Sequence, residues 1–418
     1  MNYKIDLQTN RVSADGSIMG KIDDFQKVFQ QHEQLSLNLL KKSPCLSACD
    51  REMLIIERHT QKEIKALMFG SNNYIGGVTC EKAIKKASYV IEKLGIGSGG
   101  VPLLSGTNIF QNELEKTIAR VKGFDDAILF SSGFTANLGT IIGLVRQNNL
   151  VIHDKLNHAS LIDGTIMSGA QILRYKHNDV ENLEHILKNN HSSYPKGILV
   201  ITDGVFSMDG DIANIPKILD VVRKYDGLLL IDDAHATGVI GKNGAGTLSH
   251  FNIKDHSNII VTGTLSKAIG TVGGFITAEQ KIIDYLRIFA RSNMYSTALP
   301  PSVCASAIEV FKYMENSDVV DKLRHNSNYL REKLSHIGVD FLNSETAIIP
   351  ILVGDEYKLT MMSKDFLSKG IIVNYIFPPV VSPKQSRIRI SLMASHTKQD
   401  LDYLVATVKS IFKEYSII

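Results

Sequence analysis

The chain of 418 residues is too long for one small hydrophobic core, and roughly 100–200 residues per domain predict two or three units. Its composition, with 44% hydrophobic and 21% charged residues, is typical of a soluble globular protein. A formal net charge of +3, with no basic segment interleaved with aromatic residues, argues against a nucleic-acid or membrane-surface partner.

Cysteine spacing and hydropathy argue against disulfide-rich, zinc-binding, secreted and membrane-spanning proteins. The four cysteines form no CxxC pair and no zinc-ligand spacing, which argues against a disulfide framework and a structural metal. The polar N-terminus has no signal-peptide core, and no apolar run approaches the ~18 residues of a membrane helix. We therefore expect a cytoplasmic protein with no integral membrane segment.

The first predicted elements form an N-terminal arm, residues 1–66, with one helical pattern in DDFQKVFQQHEQLSLNLLKK (23–42). From about residue 67, apolar runs rich in β-branched residues alternate with helical stretches such as IPKILDVVRKY (215–225). This alternation indicates a mostly parallel, doubly wound α/β sheet domain at 67–300. The predicted strands are AILF (127–130), LVIH (150–153), GILVIT (197–202), LLLID (228–232) and NIIVTG (258–263).

A different pattern follows LPPS (299–302). Long amphipathic stretches at 303–338 precede three apolar runs, and a final helix extends to about residue 415. This order predicts a smaller α+β C-terminal domain at 301–418. The three apolar runs are AIIPILV (347–353), IIVNYIF (371–377) and RIRISL (387–392).

Two glycine-containing segments are candidates for phosphate binding. AILF runs into SSGFTANLG (131–139), where a helix starting near Thr135 would leave free N–H groups at its N-terminus. GIGSGG (95–100) formally matches a dinucleotide fingerprint, which requires a preceding strand. The helical pattern EKAIKKASYVIEKL (81–94) precedes it instead, so the first segment is the better candidate.

The strand LLLID ends in a pair of aspartates, with Asp232 at the strand end and His235 three residues later. A buried carboxylate requires a cationic partner, and a protonated pyridinium nitrogen is one. His235 would then hydrogen-bond the hydroxyl of the same ring. The alternative is a metal site built from the two residues, but no further ligand cluster has the required spacing.

Lys267 follows the strand NIIVTG in TLSKAIGTVGG (264–274), among small residues and with no charged neighbour. A desolvated lysine loses its proton more easily and forms imines, so we predict a pyridoxal-phosphate Schiff base on Lys267. Thr264 could donate its hydroxyl to the phosphate. His158, in DKLNHASLIDG (154–164), follows another strand end on the same sheet edge, which favours catalysis over a structural role.

The strand RIRIS places Arg387 and Arg389 on one face, because side chains alternate along a strand. A guanidinium matches a carboxylate with two hydrogen bonds, so one of them could bind an amino-acid carboxylate. Exposure on an edge strand is the alternative.

Together these segments resemble the α-oxoamine synthases, a family of fold-type-I pyridoxal-phosphate (PLP) enzymes. The resemblance covers residues 67–415. Its motifs are SNNYIG (71–76), SGFTAN (132–137), DKLNHASLIDG, GVFSMDGD (204–211), DDAHATGVIG (232–241), TGTLSKAIG (262–270), YSTALPP (295–301) and RIRISLMASHT (387–397).

The resemblance implies a role for each matching residue. Lys267 would carry the cofactor and act as the base, Asp232 would pair with the pyridinium, and His158 would stack on the ring and assist acid catalysis. Arg389 and Asn72 would hold the substrate carboxylate. The remaining cofactor contacts would be Ser132, Gly133, Phe134, Ser207, His235, Thr264 and, at the phosphate of a neighbouring subunit in a homodimer, Thr297.

The implied reaction condenses a small amino acid with an acyl-CoA or acyl-carrier thioester, with loss of CO₂, to give an α-aminoketone. DDAHATGVIG and YSTALPP are most similar to the biotin-pathway branch, the 8-amino-7-oxononanoate synthases. The apolar GGVPLLSGT (99–107) and the C-terminal motif are also compatible with serine palmitoyltransferase-like or autoinducer-type members that use longer acyl chains. Gln111 stands where the family often has histidine. A PLP aminotransferase and a nucleotide-binding protein built on GIGSGG are the remaining alternatives.

Overall fold

The computed structural model describes residues 16–35, 37, 42–378 and 380–418. These residues form two compact units. Unit 1 contains the described residues up to Asn72, Met208–Gly210 and Lys322–Ile418, and unit 2 contains Asn73–Ser207 and Asp211–Asp321. The sequence interpretation divides the chain into three successive segments instead, with boundaries after residues 66 and 300. The two ends of the chain share a unit because their strands pair with each other.

The secondary structure follows the predicted order. The helices of the described residues are α1 (Ile18–Gln34), α2 (Glu81–Leu94), α3 (Ile109–Lys122), α4 (Gly133–Leu144), α5 (Ala159–Ser168), α6 (Val180–Asn190), α7 (Ile215–Lys224), α8 (Thr247–His250), α9 (Gln280–Phe289), α10 (Arg291–Met294), α11 (Pro301–Asn316), α12 (Val319–His336), α13 (Glu356–Ser368) and α14 (Lys398–Glu414). The strands are β1 (Glu52–Ile56), β2 (Glu63–Met68), β3 (Asp126–Phe130), β4 (Leu150–Asp154), β5 (Gln171–Tyr175), β6 (Ile198–Asp203), β7 (Leu228–Asp232), β8 (Ile259–Thr264), β9 (Gly274–Ala278), β10 (Ile348–Leu352), β11 (Ile371–Ile372), β12 (Asn374–Ile376) and β13 (Arg387–Ser391).

Unit 2 is built on a seven-stranded sheet in the order β3-β9-β8-β7-β6-β4-β5. β9 is antiparallel to both neighbours, and β8, β7, β6, β4 and β5 are mutually parallel. β3 therefore runs in the same direction as β8, and the carboxyl ends of six strands lie along one edge. Its five predicted strands are present. β5 and β9 were missed, the first because it lies at the sheet edge with Gln171 and Arg174 exposed.

Helices cover the apolar strands of unit 2. β6 and β8 are buried along their whole length, which requires cover on both faces. α7 packs Ile215, Ile218 and Val222 against the sheet at the spacing of one helix face. Burying each such side chain contributes about 1.5–3 kcal/mol to the free energy of unfolding.

Unit 1 contains two three-stranded sheets. The strands β1 and β2 form an antiparallel hairpin, and β11 from the C-terminal part adds to β2 in parallel. The second sheet has the order β10-β13-β12, which makes β13 its central strand. α1 overlaps the predicted helical pattern 23–42 but begins earlier, at Ile18 after the N-cap Ser17, and residues 36 and 38–41 of that prediction lie outside the described residues.

No helix in the described part of the chain is long and apolar enough to span a membrane.

Candidate active site

The polar residues singled out in the sequence of unit 2 follow the carboxyl ends of neighbouring strands. Ser132 follows β3, His158 follows β4, Ser207 follows β6, His235 follows β7 and Lys267 follows β8. Because these strands run in the same direction, their carboxyl ends lie on one sheet edge, the usual ligand-binding position in an open α/β sheet.

The N-terminus of α4 forms a tight turn beside β8. The helix begins at Gly133, two residues before the predicted start, because Ser132 caps it: Ser132 Oγ accepts from the Thr135 N–H at 3.1 Å. A Cβ at Gly133 would lie 2.9 Å from the Cβ of Thr264. Glycine therefore allows the helix N–H groups and the Thr264 hydroxyl to share one small space, which suits a phosphate.

Asp232 is a buried carboxylate held in a fixed orientation. Its Oδ2 accepts from Asn137 Nδ2 at 2.7 Å, and its Oδ1 accepts from the Ala234 N–H at 2.9 Å. Asn137 also donates to Ser160 Oγ at 2.8 Å. Asn137 was missed in the sequence, although it is the last residue of the SGFTAN motif. Both oxygens of Asp232 thus accept hydrogen bonds from neutral donors. Because these donors do not cancel its negative charge, the carboxylate is suited to a cationic ligand.

His158 caps α5 with its own ring. Its Nδ1 accepts from the Ser160 N–H at 3.3 Å, and its backbone N–H donates to Asp203 Oδ2 at 2.9 Å. A backbone N–H can only donate, so the neutral ring carries its proton on Nε2. Burial lowers the pKa of His158; the Asp232 carboxylate acts in the opposite direction and the Lys267 ammonium adds to the lowering. These three predicted residues are therefore close enough to interact electrostatically.

Asp203 is a second buried carboxyl at this edge, and the sequence interpretation missed it. The register of β6 and β7 pairs Asp203 with Asp232. Burial raises the pKa of Asp203 well above its usual range, and the neighbouring Asp232 carboxylate adds to that rise. The signal was present in the sequence, because β6 ends in aspartate in the same way as β7.

Three further predicted site residues lie in the loops after β6, β7 and β8, and each is at least half-buried. His235 is buried, and its Nδ1 lies 2.8 Å from the hydroxyl oxygen of Tyr74. Lys267 is half-buried in a turn that the Gly270 N–H closes onto its carbonyl at 3.0 Å. Ser207 is half-buried, following the bridge between Val205 and Ile212.

Phe134 and Thr297 present their side chains toward the surface of unit 2. The ring of Phe134 meets that of His158 edge-on, with centroids 6.4 Å apart. Thr297 is exposed and lines a small cavity together with Gln111 and Ser131. Gln111 is buried, and its Oε1 has no hydrogen-bond partner among the described residues.

The two arginines of β13 in unit 1 have different contacts, which indicate which of them could bind a carboxylate. Both are buried on a central strand, so the edge-strand alternative is wrong. The Arg387 guanidinium donates to Asp209 Oδ1 at 2.7 Å and to the Met208 carbonyl at 3.2 Å, which is a structural role. Arg389 donates to Asn72 Oδ1 at 3.2 Å. The pair predicted to bind a carboxylate, Arg389 and Asn72, is thus brought together.

Comparison with known proteins identifies the family. A sequence profile described as "Aminotransferase class I and II" matches residues 64–408. The chain belongs to this family. Within the family it is 38% identical over 402 residues to the 8-amino-7-oxononanoate synthase of Thermoanaerobacter pseudethanolicus, which covers 96% of this chain and 100% of the relative. It is 41% identical over 355 residues to that of Lysinibacillus sphaericus, which covers 85% and 90%.

Solved structures of similar chains agree with the fold. A serine palmitoyltransferase from Sphingomonas wittichii superposes with a TM-score of 0.89 at 28% identity, covering 96% of this chain and all of the other. An 8-amino-7-oxononanoate synthase from Francisella tularensis gives 0.73 at 27%, covering 84% and 99%. The predicted fold type I and the resemblance to α-oxoamine synthases are confirmed. The roles of individual residues stay predictions.

Proposed function

We propose that the chain is a PLP-dependent acyltransferase that condenses a small amino acid with an acyl thioester and releases an α-aminoketone. The observation that carries the proposal is the placement of His158, Asp232 and Lys267 at the carboxyl ends of β4, β7 and β8 on one sheet edge, where Asp232 and Lys267 both act on the pKa of His158. Each is the residue type that one part of the chemistry requires: a proton donor, a partner for the pyridinium and an imine-forming amine.

The residues present fit the cofactor. The N–H groups at the start of α4 and the Thr264 hydroxyl would hold its phosphate, where a side chain at Gly133 would leave no room. Asp232 would accept the pyridinium N–H, and His235 and Ser207 would contact the ring oxygen. When bound, the cofactor supplies an electron sink for negative charge on the α-carbon of the amino acid.

The side chains of this protein would perform the proton transfers and the binding. Lys267 Nζ removes the α-proton of the amino acid, and Arg389 and Asn72 bind the α-carboxylate. His158 Nε2 donates a hydrogen bond to the thioester oxygen as the new carbon–carbon bond forms and the carbon–sulfur bond breaks. The sulfur leaves as a thiolate and takes its proton from solvent, the α-carboxylate departs as CO₂, and Lys267 Nζ returns its proton to the α-carbon.

The biotin-pathway reaction of alanine with a pimeloyl thioester is the first candidate, supported by relatives of 38–41% identity. A serine palmitoyltransferase-like reaction, with serine and a long acyl chain, is the second, supported by the TM-score of 0.89 over the full length of such an enzyme. We propose a homodimer for either reaction, with Thr297 of one subunit contacting the phosphate of the other.

The test combines a spectrum with a product assay. The purified protein is titrated with glycine, alanine and serine, then with acyl-CoAs of graded length, while free thiol, CO₂ and product mass are measured. The proposal predicts that thiol and CO₂ are released in equal amounts. This release should be lost in Lys267→Ala and retained in the control Lys254→Ala, because Lys254 is exposed. Oxoacid formation from the amino acid alone, without thiol release, would instead show an aminotransferase. Serine with long chains as the preferred pair would select the second candidate.

A further inference from the structure

Tyr74 is a fully buried tyrosine whose hydroxyl meets a residue of the candidate site. Its oxygen lies 2.8 Å from Nδ1 of His235, and the two rings are edge-on at 68° with centroids 6.1 Å apart. The contact joins residues 161 positions apart in the sequence, within unit 2. Two buried polar groups therefore satisfy each other next to the strand end that bears Asp232.

The backbone segments that bear this contact pack closely on each other. A Cβ at Gly77 would lie 2.5 Å from the carbonyl oxygen of Ala268, so the segment after Tyr74 packs directly on the turn that contains Lys267. A Cβ at Gly238 would lie 2.4 Å from the Cβ of the same alanine. Three segments, those of Tyr74, His235 and Lys267, thus meet at glycines without space between them, so the backbone around the buried tyrosine is closely packed.

The direction of this hydrogen bond sets which ring nitrogen of His235 carries the proton. A neutral imidazole has one donor and one acceptor nitrogen, and a phenol donates readily because it keeps its proton at neutral pH. When the Tyr74 hydroxyl donates to Nδ1, the proton of His235 must reside on Nε2. The same Nε2–H form occurs at His158, where the backbone N–H of Ser160 occupies Nδ1.

We propose that Tyr74 is a positioning residue that acts through His235: it fixes the Nε2–H form and the ring orientation, so that His235 donates to the ring oxygen of the cofactor. The inference rests on the proposed function, because it names a further residue for that same site. A donor at this oxygen stabilises its anionic form. In the opposite tautomer, Nε2 would direct a lone pair at that anion and repel it.

The test compares Tyr74→Phe with wild type and with Tyr194→Phe, a half-buried tyrosine that packs against the core. Tyr74→Phe is expected to weaken PLP binding to the apoprotein about tenfold, as loss of an orienting hydrogen bond does. The pH midpoint of the visible band of the bound cofactor should rise by about one unit, because the anionic ring oxygen loses a donor. Tyr194→Phe should change neither quantity.

A double-mutant cycle separates positioning from general structural support. In a His235→Gln background, the Tyr74→Phe change should lose its effect on PLP affinity and on the pH midpoint. A full tenfold effect in that background would overturn the inference, and so would unchanged affinity and midpoint in the single variant.

Histidine ¹⁵N NMR of the apoprotein tests the contact without the cofactor. The Nε2–H signal of His235, assigned with His235→Gln, should be present in wild type and should shift toward a tautomer mixture in Tyr74→Phe. An unchanged signal would refute the role of Tyr74. If wild type shows no visible band with PLP, the proposed function fails, while the NMR result still decides the tautomer.

Discussion

The half-buried His177 links two carboxylates of unit 2 and makes stability depend on pH. Its Nδ1 lies 3.1 Å from Asp154 Oδ1, and its Nε2 lies 3.0 Å from Asp211 Oδ2. Burial lowers the pKa of His177, but the hydrogen bonds to both carboxylates raise it more, to about 10 from the usual 6.5. At ~1.36 kcal/mol per unit this rise corresponds to roughly 4–5 kcal/mol, and the partial exposure of the ring reduces it to about 2–4 kcal/mol.

The sign follows from the raised pKa. The folded state binds the proton more tightly than the unfolded chain, so the stabilisation is fully present below about pH 6.5 and is lost between there and about pH 10. His177→Gln should therefore lower the melting temperature by about 3–6 °C at the acidic end, for a molecule of this size. The difference from wild type should shrink steadily toward the alkaline end.

The assay measures melting temperatures by calorimetry for wild type and variant across this pH range. His185→Gln serves as the control, because His185 is exposed and should show no pH-dependent difference. A wild-type advantage that stays constant with pH would refute the reasoning, since it would show that packing, and not the charged hydrogen bonds, makes His177 stabilising.

Four other changes test the remaining structure. Gly133→Ala should weaken PLP binding by about 1–3 kcal/mol, measured by titration of the apoprotein, because the added methyl group overpacks the phosphate turn. Lys122→Met should cost about 3–5 kcal/mol of stability, seen as a lower melting temperature, because it leaves Asp233 buried without the ammonium 2.8 Å away. Arg389→Lys should raise the KM for the amino acid about tenfold with little change in melting temperature, because a lysine cannot bind a carboxylate with two hydrogen bonds. Arg387→Lys should instead lower the melting temperature and leave the KM for the amino acid nearly unchanged.

The sequence predicted the strands that carry the site because they are continuous apolar runs. β7 and β8 needed no tertiary information, and the polar residues after them were found by reading each strand to its end. The strands β1 and β2 were missed. The sequence of β2, EIKALM, also suits a helix, and β11, which pairs with β2 on its other side, lies about 300 residues away in the sequence. Tyr74 was missed for the same reason: its hydroxyl partner is far along the chain, and sequence spacing carries no trace of the contact.

Three neighbouring parallel strands of unit 2 each end in aspartate, and the structure treats each carboxyl differently. Asp154 on β4 has the imidazole of His177 beside it, which places a cation between two acids. For Asp203 on β6, burial and the charge of Asp232 raise the pKa well above its usual range, against the smaller opposing effects of the His158 N–H and the Lys267 charge, which favours the neutral form. Like charges this close in a buried site cannot all persist unless cations or protons offset them. Among the described residues, the hydrogen bonds to the Asp232 carboxylate come from neutral donors, Asn137 Nδ2 and the Ala234 N–H. A bound cation would therefore interact most favourably at Asp232, which is the position that the proposed chemistry assigns to the pyridinium.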